Sequence, residues 1–182
     1  MANLPPIEIR TPRLLLRRPD PREAAAVFAG WKSDAEVCRY DVHLPHRRVE
    51  DTAAYLEWAS ETWSDDHSGD TRSWILEHRD TGQPIGGFEA RDLHGIALGY
   101  ALARPWWGQG LMSEAVQAAV RVAFRLTSVQ RVWAWCDAEH AASARVLEKS
   151  GFIFEGVLRR FCVHPAQGDV PRDCRCYAIT QG

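Results

Sequence analysis

Ala97-Leu-Gly-Tyr-Ala-Leu-Ala-Arg-Pro-Trp-Trp-Gly-Gln-Gly-Leu-Met-Ser-Glu-Ala-Val-Gln-Ala-Ala-Val-Arg-Val-Ala-Phe124 reads as a strand, a tight glycine turn and a helix. Residues 96–102 are short and apolar, bounded by Gly95 and by Arg104-Pro105, as a buried strand is. From Met112 onward the apolar positions 112, 115/116, 119/120 and 123/124 repeat with the period of one helix face. Trp107-Gly108-Gln109-Gly110-Leu111 lies between the two. Glycines one residue apart put no Cβ in the way of a turn whose amides converge. The first helical turn adds unpaired amides and the positive end of the dipole, so the place suits an anion, above all a phosphate. An ordinary loop is the alternative reading. Two other phosphate motifs are excluded, because no Gly-Lys-Ser/Thr follows and the third glycine of a dinucleotide fingerprint is missing.

Gly99-Tyr100, Trp107-Gly108-Gln109-Gly110 and Ser113-Glu114-Ala115 together resemble the acetyl-CoA signature of the GNAT N-acetyltransferase superfamily, in its ribosomal-protein N-terminal acetyltransferase branch. A second block agrees. Asp137-Ala-Glu-His140-Ala-Ala-Ser143-Ala-Arg145-Val-Leu-Glu-Lys149-Ser-Gly151-Phe152 is similar to that branch's Asn-x-x-Ser, Arg-Val-Leu-Glu-Lys and Gly-Phe run. Thr11-Pro12-Arg13-Leu14-Leu15-Leu16-Arg17 resembles the branch's first strand, so the likeness spans nearly the whole chain. It implies an α/β fold: one GNAT-like domain over residues 1–182 with a mixed, mostly antiparallel central sheet flanked by helices, and a flexible stretch at residues 1–10.

Composition fits that picture. The 182 residues suit one domain with a real core. The net charge of −2, with no basic block or stripe, gives no reason to expect nucleic acid as a partner. The opening Met-Ala-Asn-Leu-Pro-Pro lacks the regions of a signal peptide, and no apolar run reaches membrane-spanning length, so a cytoplasmic protein without membrane contact is expected. Five cysteines, at 38, 136, 162, 174 and 176, read as free thiols in a reducing compartment. Cys174 and Cys176 share a strand face with His164 nearby, yet no second Cys/His pair completes a tetrahedral set, and no metal is expected. The eight tryptophans read as core or pocket wall.

Along the chain, residues 14–18 form a strand stopped by Pro19-Asp20-Pro21, and residues 23–32 a helix burying Ala24, Val27, Phe28 and Trp31. Residues 33–48 are irregular, with Pro45 and the pair His43/His46; residues 49–63 are a second helix and residues 64–70 a polar turn. Strands follow at 72–79 and 85–91, joined by Asp80-Thr81-Gly82-Gln83, and at 96–103. After the long helix come a strand at 131–136, a helix at 140–150 ended by Gly151, and strands at 153–163 and 172–180. The resemblance lays residues 31–66 over the acceptor side.

Acetyl transfer to an amine needs a held thioester, a neutral amine and a proton for the departing thiolate. The resemblance implies that the amides of Gly108, Gln109, Gly110, Leu111, Met112 and Ser113 hold the CoA pyrophosphate, with Trp107 at the start of the motif, where the superfamily commonly has Arg or Gln. Met112 replaces a small residue. The strand bearing Tyr100, Ala101 and Leu102 would hydrogen-bond the pantetheine arm as an added strand, with a splay between Ala101 and Trp135 and the Leu102 amide as an oxyanion donor. Trp106 and Trp107 suit a slot wall or plain packing.

Glu89, in the apolar run Ile85-Gly-Gly-Phe-Glu-Ala90, is the preferred base, because partial burial would raise its pKa. The competing reading is a solvent-face residue paired with Arg91 or Arg72. Asp92 and His94 are further base candidates, and Asp41 and His43 acceptor-amine contacts. Ser143 matches the branch's serine near the CoA sulfur and is the proton donor, or else it caps or packs its helix. His140 stands where the branch has an Asn that contacts CoA and retains one hydrogen-bond donor. Tyr177 is a second candidate hydroxyl, and Arg145 and Lys149 either reach phosphates or are solvated.

No cysteine is placed as a nucleophile, which implies direct attack in a ternary complex. The implied acceptor is a protein N-terminal α-amine, with a small-molecule amine as the alternative. The rivals from other classes are a non-catalytic acyl-CoA binder of the same fold and a nucleotide-binding regulator. A homodimer through the final strands or the tryptophans is compatible with the sequence.

Overall fold

The computed structural model describes residues 7–64, 70–125 and 129–181. The centre of the polar turn expected over residues 64–70, and the first six residues of the expected flexible stretch, lie outside the described residues. Within that stretch Ile9–Arg10 instead forms β1, because Ile9 buries its side chain in the core while the pair hydrogen-bonds along Leu15 and Leu16.

The described strands make one sheet in the order β1, β2 (Leu14–Arg17), β3 (Thr71–His78), β4 (Gln83–Asp92), β5 (Ile96–Leu102), β6 (Arg131–Asp137), β8 (Arg172–Thr180) and β7 (Ile153–Cys162). Neighbours are antiparallel throughout except β5 and β6. Among the described residues four α-helices flank the sheet: α1 (Ala24–Val27), α2 (Val49–Glu61), α3 (Leu111–Arg125) and α4 (Ala141–Lys149). This is the mixed α/β class the sequence implied.

Strand alternation sorts the core into two layers. From β3, Trp74 and Leu76 enter the larger core with Leu98 and Leu102 of β5, whereas Ile75 enters the smaller one. The larger layer is closed by α3, whose inner face carries Leu111, Met112, Ala115, Val116, Ala119 and Ala123. Its alanines let the helix lie close on the strands. The smaller layer packs Ala24, Val27, Trp31 and Leu56 from the N-terminal helical segments over Ile75 and Ala103.

That N-terminal segment departs from the regular helix expected over residues 23–32. Pro21–Glu23 is a 3₁₀ turn, entered through Asp20, whose side chain accepts from the Arg22 amide at 2.9 Å. After α1, residues Phe28–Lys32 wind as a π turn, closed by the Ser33 amide on the Phe28 carbonyl at 3.1 Å. The Ser33 hydroxyl donates to the same carbonyl at 2.8 Å, which stabilises the wide turn. Trp31 and Lys32 are thereby both turned inward and buried. Such wide turns often mark functional positions.

At the far edge of the sheet, β7 leaves Ile153, Phe154, Val157 and Phe161 exposed. Its ladder with β8 slips between Phe154 and Gly156 and again between Leu158 and Cys162.

Candidate active site

The glycine turn has the geometry an anion needs. Gly108 and Gly110 both sit at φ +75°, which an L side chain rarely adopts. A Cβ on Gly108 would meet nothing within 4 Å, and one on Gly110 only the Arg13 guanidinium at 3.7 Å, so the turn is open outward. None of the amides of residues 108–113 donates a backbone hydrogen bond within the described chain. Several nearby carbonyls are taken by donors from the chain itself. Arg13 donates to Gln109 O at 2.9 Å, the Gln109 side chain to Pro105 O at 2.9 Å and the Glu114 amide to Gly110 O at 3.1 Å. Glu114, in the first turn of α3, accepts from the Thr11 hydroxyl at 2.6 Å, the Arg13 amide at 2.9 Å and Arg13 Nε at 2.7 Å. The start of β2 is thus pinned to the start of α3, and the carbonyls are held away from the amides.

Beside the turn, the sheet opens. β5 and β6 pair only at Ile96 with Val132 and Ala97 with Trp133. Beyond that point β5 continues along β4 as far as Leu102, and β6 along β8 as far as Asp137, leaving a wedge between them. This is the splay expected between Ala101 and Trp135. Trp107 is exposed and its indole donates to Leu102 O at 2.5 Å, which holds the glycine turn against the end of β5.

At the floor of the wedge, Ser143 of α4 is buried, with its Oγ 2.9 Å from the Tyr100 hydroxyl. Burial pushes the Tyr100 phenol far above its ordinary value, so it stays protonated. Cys136 adjoins Ser143, and burial pushes its thiol up to about 11. At neutral pH it is a thiol and a poor nucleophile.

The wedge leads into a cleft of about 180 Å³ under the N-terminal segments, where Lys32, Tyr40, Asp41, His43, Tyr55 and Glu89 line it. Glu89 lines it, and its carboxylate accepts from Arg91 Nη2 at 2.9 Å, the pairing the competing reading expected. The Tyr55 hydroxyl faces Glu89, and burial holds this phenol far above its ordinary value. At the other side, Asp137 is fully buried. It accepts from Arg172 Nε at 2.5 Å, lies 3.5 Å from His164 Nε2 and accepts from the Glu139 amide at 2.8 Å. Burial works upward on its pKa, yet these partners hold it below the ordinary carboxylate value.

His140 lines the same cleft, whereas other expected site residues fall elsewhere. Leu111 and Met112 turn their side chains into the core, so their amides alone face the turn. His140 precedes α4 without capping it; its ring stacks on Tyr40, with centroids 4.3 Å apart, because the two rings exclude water from each other. Burial lowers its pKa to about 4. Tyr177 is buried and donates to Glu148 at 3.1 Å, away from the wedge, since the pairing of β8 with β6 and β7 turns it toward α4. His94 is exposed and Asp92 lies outside the cleft lining. Arg145 and Lys149 are exposed. Cys174 and Cys176 are buried on β8, and among the described residues no three of His, Cys, Asp and Glu converge as metal ligands.

The sequence reading missed Lys32, Tyr40, Tyr55, Cys136 and His164 as cleft residues. For Lys32 a signal existed, because it follows Phe28 by four residues and so falls on the helical face that was expected to be buried.

Comparison with known proteins gives the family. The family profile described as "Acetyltransferase (GNAT) domain" matches residues 13–153. An uncharacterized N-acetyltransferase of Bacillus subtilis (strain 168), YoaA, is 30% identical over 177 residues, 95% of this chain and 96% of that one. The [ribosomal protein uS5]-alanine N-acetyltransferase of Escherichia coli (strain K12) is 32% identical over 74 residues, 41% of this chain and 38% of that one. Among solved structures, Mycobacterium smegmatis RimJ, in complex with CoA-disulfide, superimposes with a TM-score of 0.80 at 21% identity, covering 96% of this chain and 86% of that one. The chain belongs to the GNAT family of N-acetyltransferases, enzymes whose acetyl donor is acetyl-CoA. No described helix is long and apolar enough to cross a membrane.

Proposed function

We propose that this chain acetylates the α-amine of a peptide or protein N-terminus by direct attack in a ternary complex. The observation that carries the reading is the junction of wedge and cleft, with the Ser143–Tyr100 hydroxyl pair on the donor side and Glu89 on the acceptor side. The outward amides of residues 108–113, in a turn open where side chains would stand, fit the pyrophosphate of acetyl-CoA. The unpaired edge of β5 over residues 98–102 fits its amide-bearing arm.

The donor supplies an acetyl thioester. The amine nitrogen forms the new C–N bond as the C–S bond breaks, and the chain has to move two protons. Glu89, held by Arg91 and faced by Tyr55, accepts the amine proton directly or through water. An α-amine, with a reference pKa near 8, needs far less help than a lysine near 10.4. Ser143, hydrogen-bonded to Tyr100, hands a proton to the departing sulfur, and the proton taken by Glu89 returns through water to restore the hydroxyl pair. The likeness to the uS5-alanine enzyme supports an N-terminal acceptor. The small volume of the cleft favours a second reading, a free amino compound of similar size.

The test follows acetyl-CoA-dependent thiol release with peptides beginning in Ser, Ala or Thr and with small amines. Release with the peptides, reduced about a hundredfold or more in Glu89→Gln and more mildly in Ser143→Ala, is the expected result. Acetyl-CoA binding without release from any amine would instead favour a binder that has lost the chemistry.

A further inference from the structure

The acceptor cleft contains a cation that no residue of the described chain neutralises at close range. Lys32 closes the π turn, is 9% exposed and lines the cleft. Its ammonium lies 3.9 Å from the centroid of the Tyr55 ring. Among the described residues it makes no hydrogen bond and no ion pair. The other charges of the cleft are engaged differently: Glu89 with Arg91, Asp137 with Arg172 and His164, and Asp41 with the His43 amide at 3.1 Å. Its Nζ opens to the cleft rather than being sealed from solvent, so an arriving anion can reach it, and the face of the Tyr55 ring holds it in place. A lysine held in this way, beside a cleft that receives an amine, is positioned for an anion that arrives with the amine.

We infer that Lys32 binds a carboxylate close to the acetylated amine across the face of Tyr55, so that acceptors carrying such a carboxylate are preferred over those without one. Asp41 and Glu89 then face the amine end and Lys32 the acid end, so the cleft reads a zwitterion. The lone ammonium suits a carboxylate better than a phosphate dianion, which the two neighbouring carboxylates would repel. The carboxylate has two sources, the α-carboxylate of a free amino acid or an acidic side chain at the first position of a peptide. This inference rests on the acetyl-transfer reading above.

The experiment measures binding, so that it stands apart from turnover. Protein loaded with CoA is titrated calorimetrically with N-acetylglycine against N-acetylglycinamide, and with N-acetylated dipeptide amides that begin with Asp against Asn. In at least one pair the carboxylate form is expected to bind about ten- to a hundredfold tighter. The pair that shows the preference identifies the source. Lys32→Met abolishes the preference, and Lys32→Arg, which restores the charge, retains much of it; thermal melting of both variants checks that they fold. Equal binding of acid and amide in both pairs, or a preference that survives in Lys32→Met, overturns the inference. If the preference is found but no carboxylate-bearing amine is acetylated, the anion site stands and the acetyl-transfer reading fails.

Discussion

Buried against Tyr40, the His140 imidazole has its pKa lowered to about 4 and is neutral at neutral pH. Its ordinary value is 6.5. Between these two values the unfolded chain takes up a proton that the folded site refuses. The stability it contributes is therefore fully present above the higher value and is lost as pH falls toward the lower, by about 3 kcal/mol at the most. His46, lowered in the same direction by burial, adds to the trend. Urea denaturation repeated from neutral pH downward should show this loss, and His140→Asn should flatten it; an unchanged slope in the variant would locate the effect elsewhere. The same residue shows where sequence reading stops. Its place in the second motif was legible, but its ring partner lies a hundred residues away in sequence, in a segment without a motif. Glu89 and Arg91 were easier, because residues two apart on a strand share a face.

At the level of the element, the start of α3 is held by the turn between β1 and β2. Glu114 gathers three donors from Thr11 and Arg13, and Arg13 in turn holds the Gln109 carbonyl. Glu114→Ala should cost about 1–3 kcal/mol in a melting experiment. It should also raise KM for acetyl-CoA while leaving KM for the acceptor unchanged, because the amides of the turn lose their fixed direction. A rise in the acceptor KM alone would dissociate this contact from donor binding. The long helix was readable from periodicity, since α3 buries the face its spacing marked, and β5 from its short bounded apolar run. The π turn was not, because it depends on one hydroxyl, that of Ser33, competing for a helix carbonyl. That Tyr177 would meet Glu148 was not readable either, because a strand pattern gives two faces without saying which neighbour each will meet.

For the molecule as a whole, the sheet has two halves, β1 to β5 and β6 to β7, joined along the strands by two residue pairs. Acetyl-CoA bound in the wedge touches both halves, so it should stabilise the fold globally. At a hundredfold excess over Kd the gain is about 2.7 kcal/mol, readable as a rise in Tm. Hydrogen exchange should slow in residues 98–102 and 108–113, and protection confined to other segments would argue against the wedge as the donor site. Fold class followed from the family resemblance that the motifs carry, whereas the strand order and the cleft wall, assembled from residues 32, 40, 55, 89 and 164, had no local pattern to read. The outer margin of the sheet has its own consequence. β7 carries exposed aromatic and branched side chains, yet its two slips, with Gly156 at φ +149° and Arg160 at φ +48°, break the row of backbone donors and acceptors that a straight edge would present. An edge bent in this way is a poor template for strand-by-strand aggregation, so its apolar character is tolerable in a concentrated solution where a flat strand of the same composition would not be.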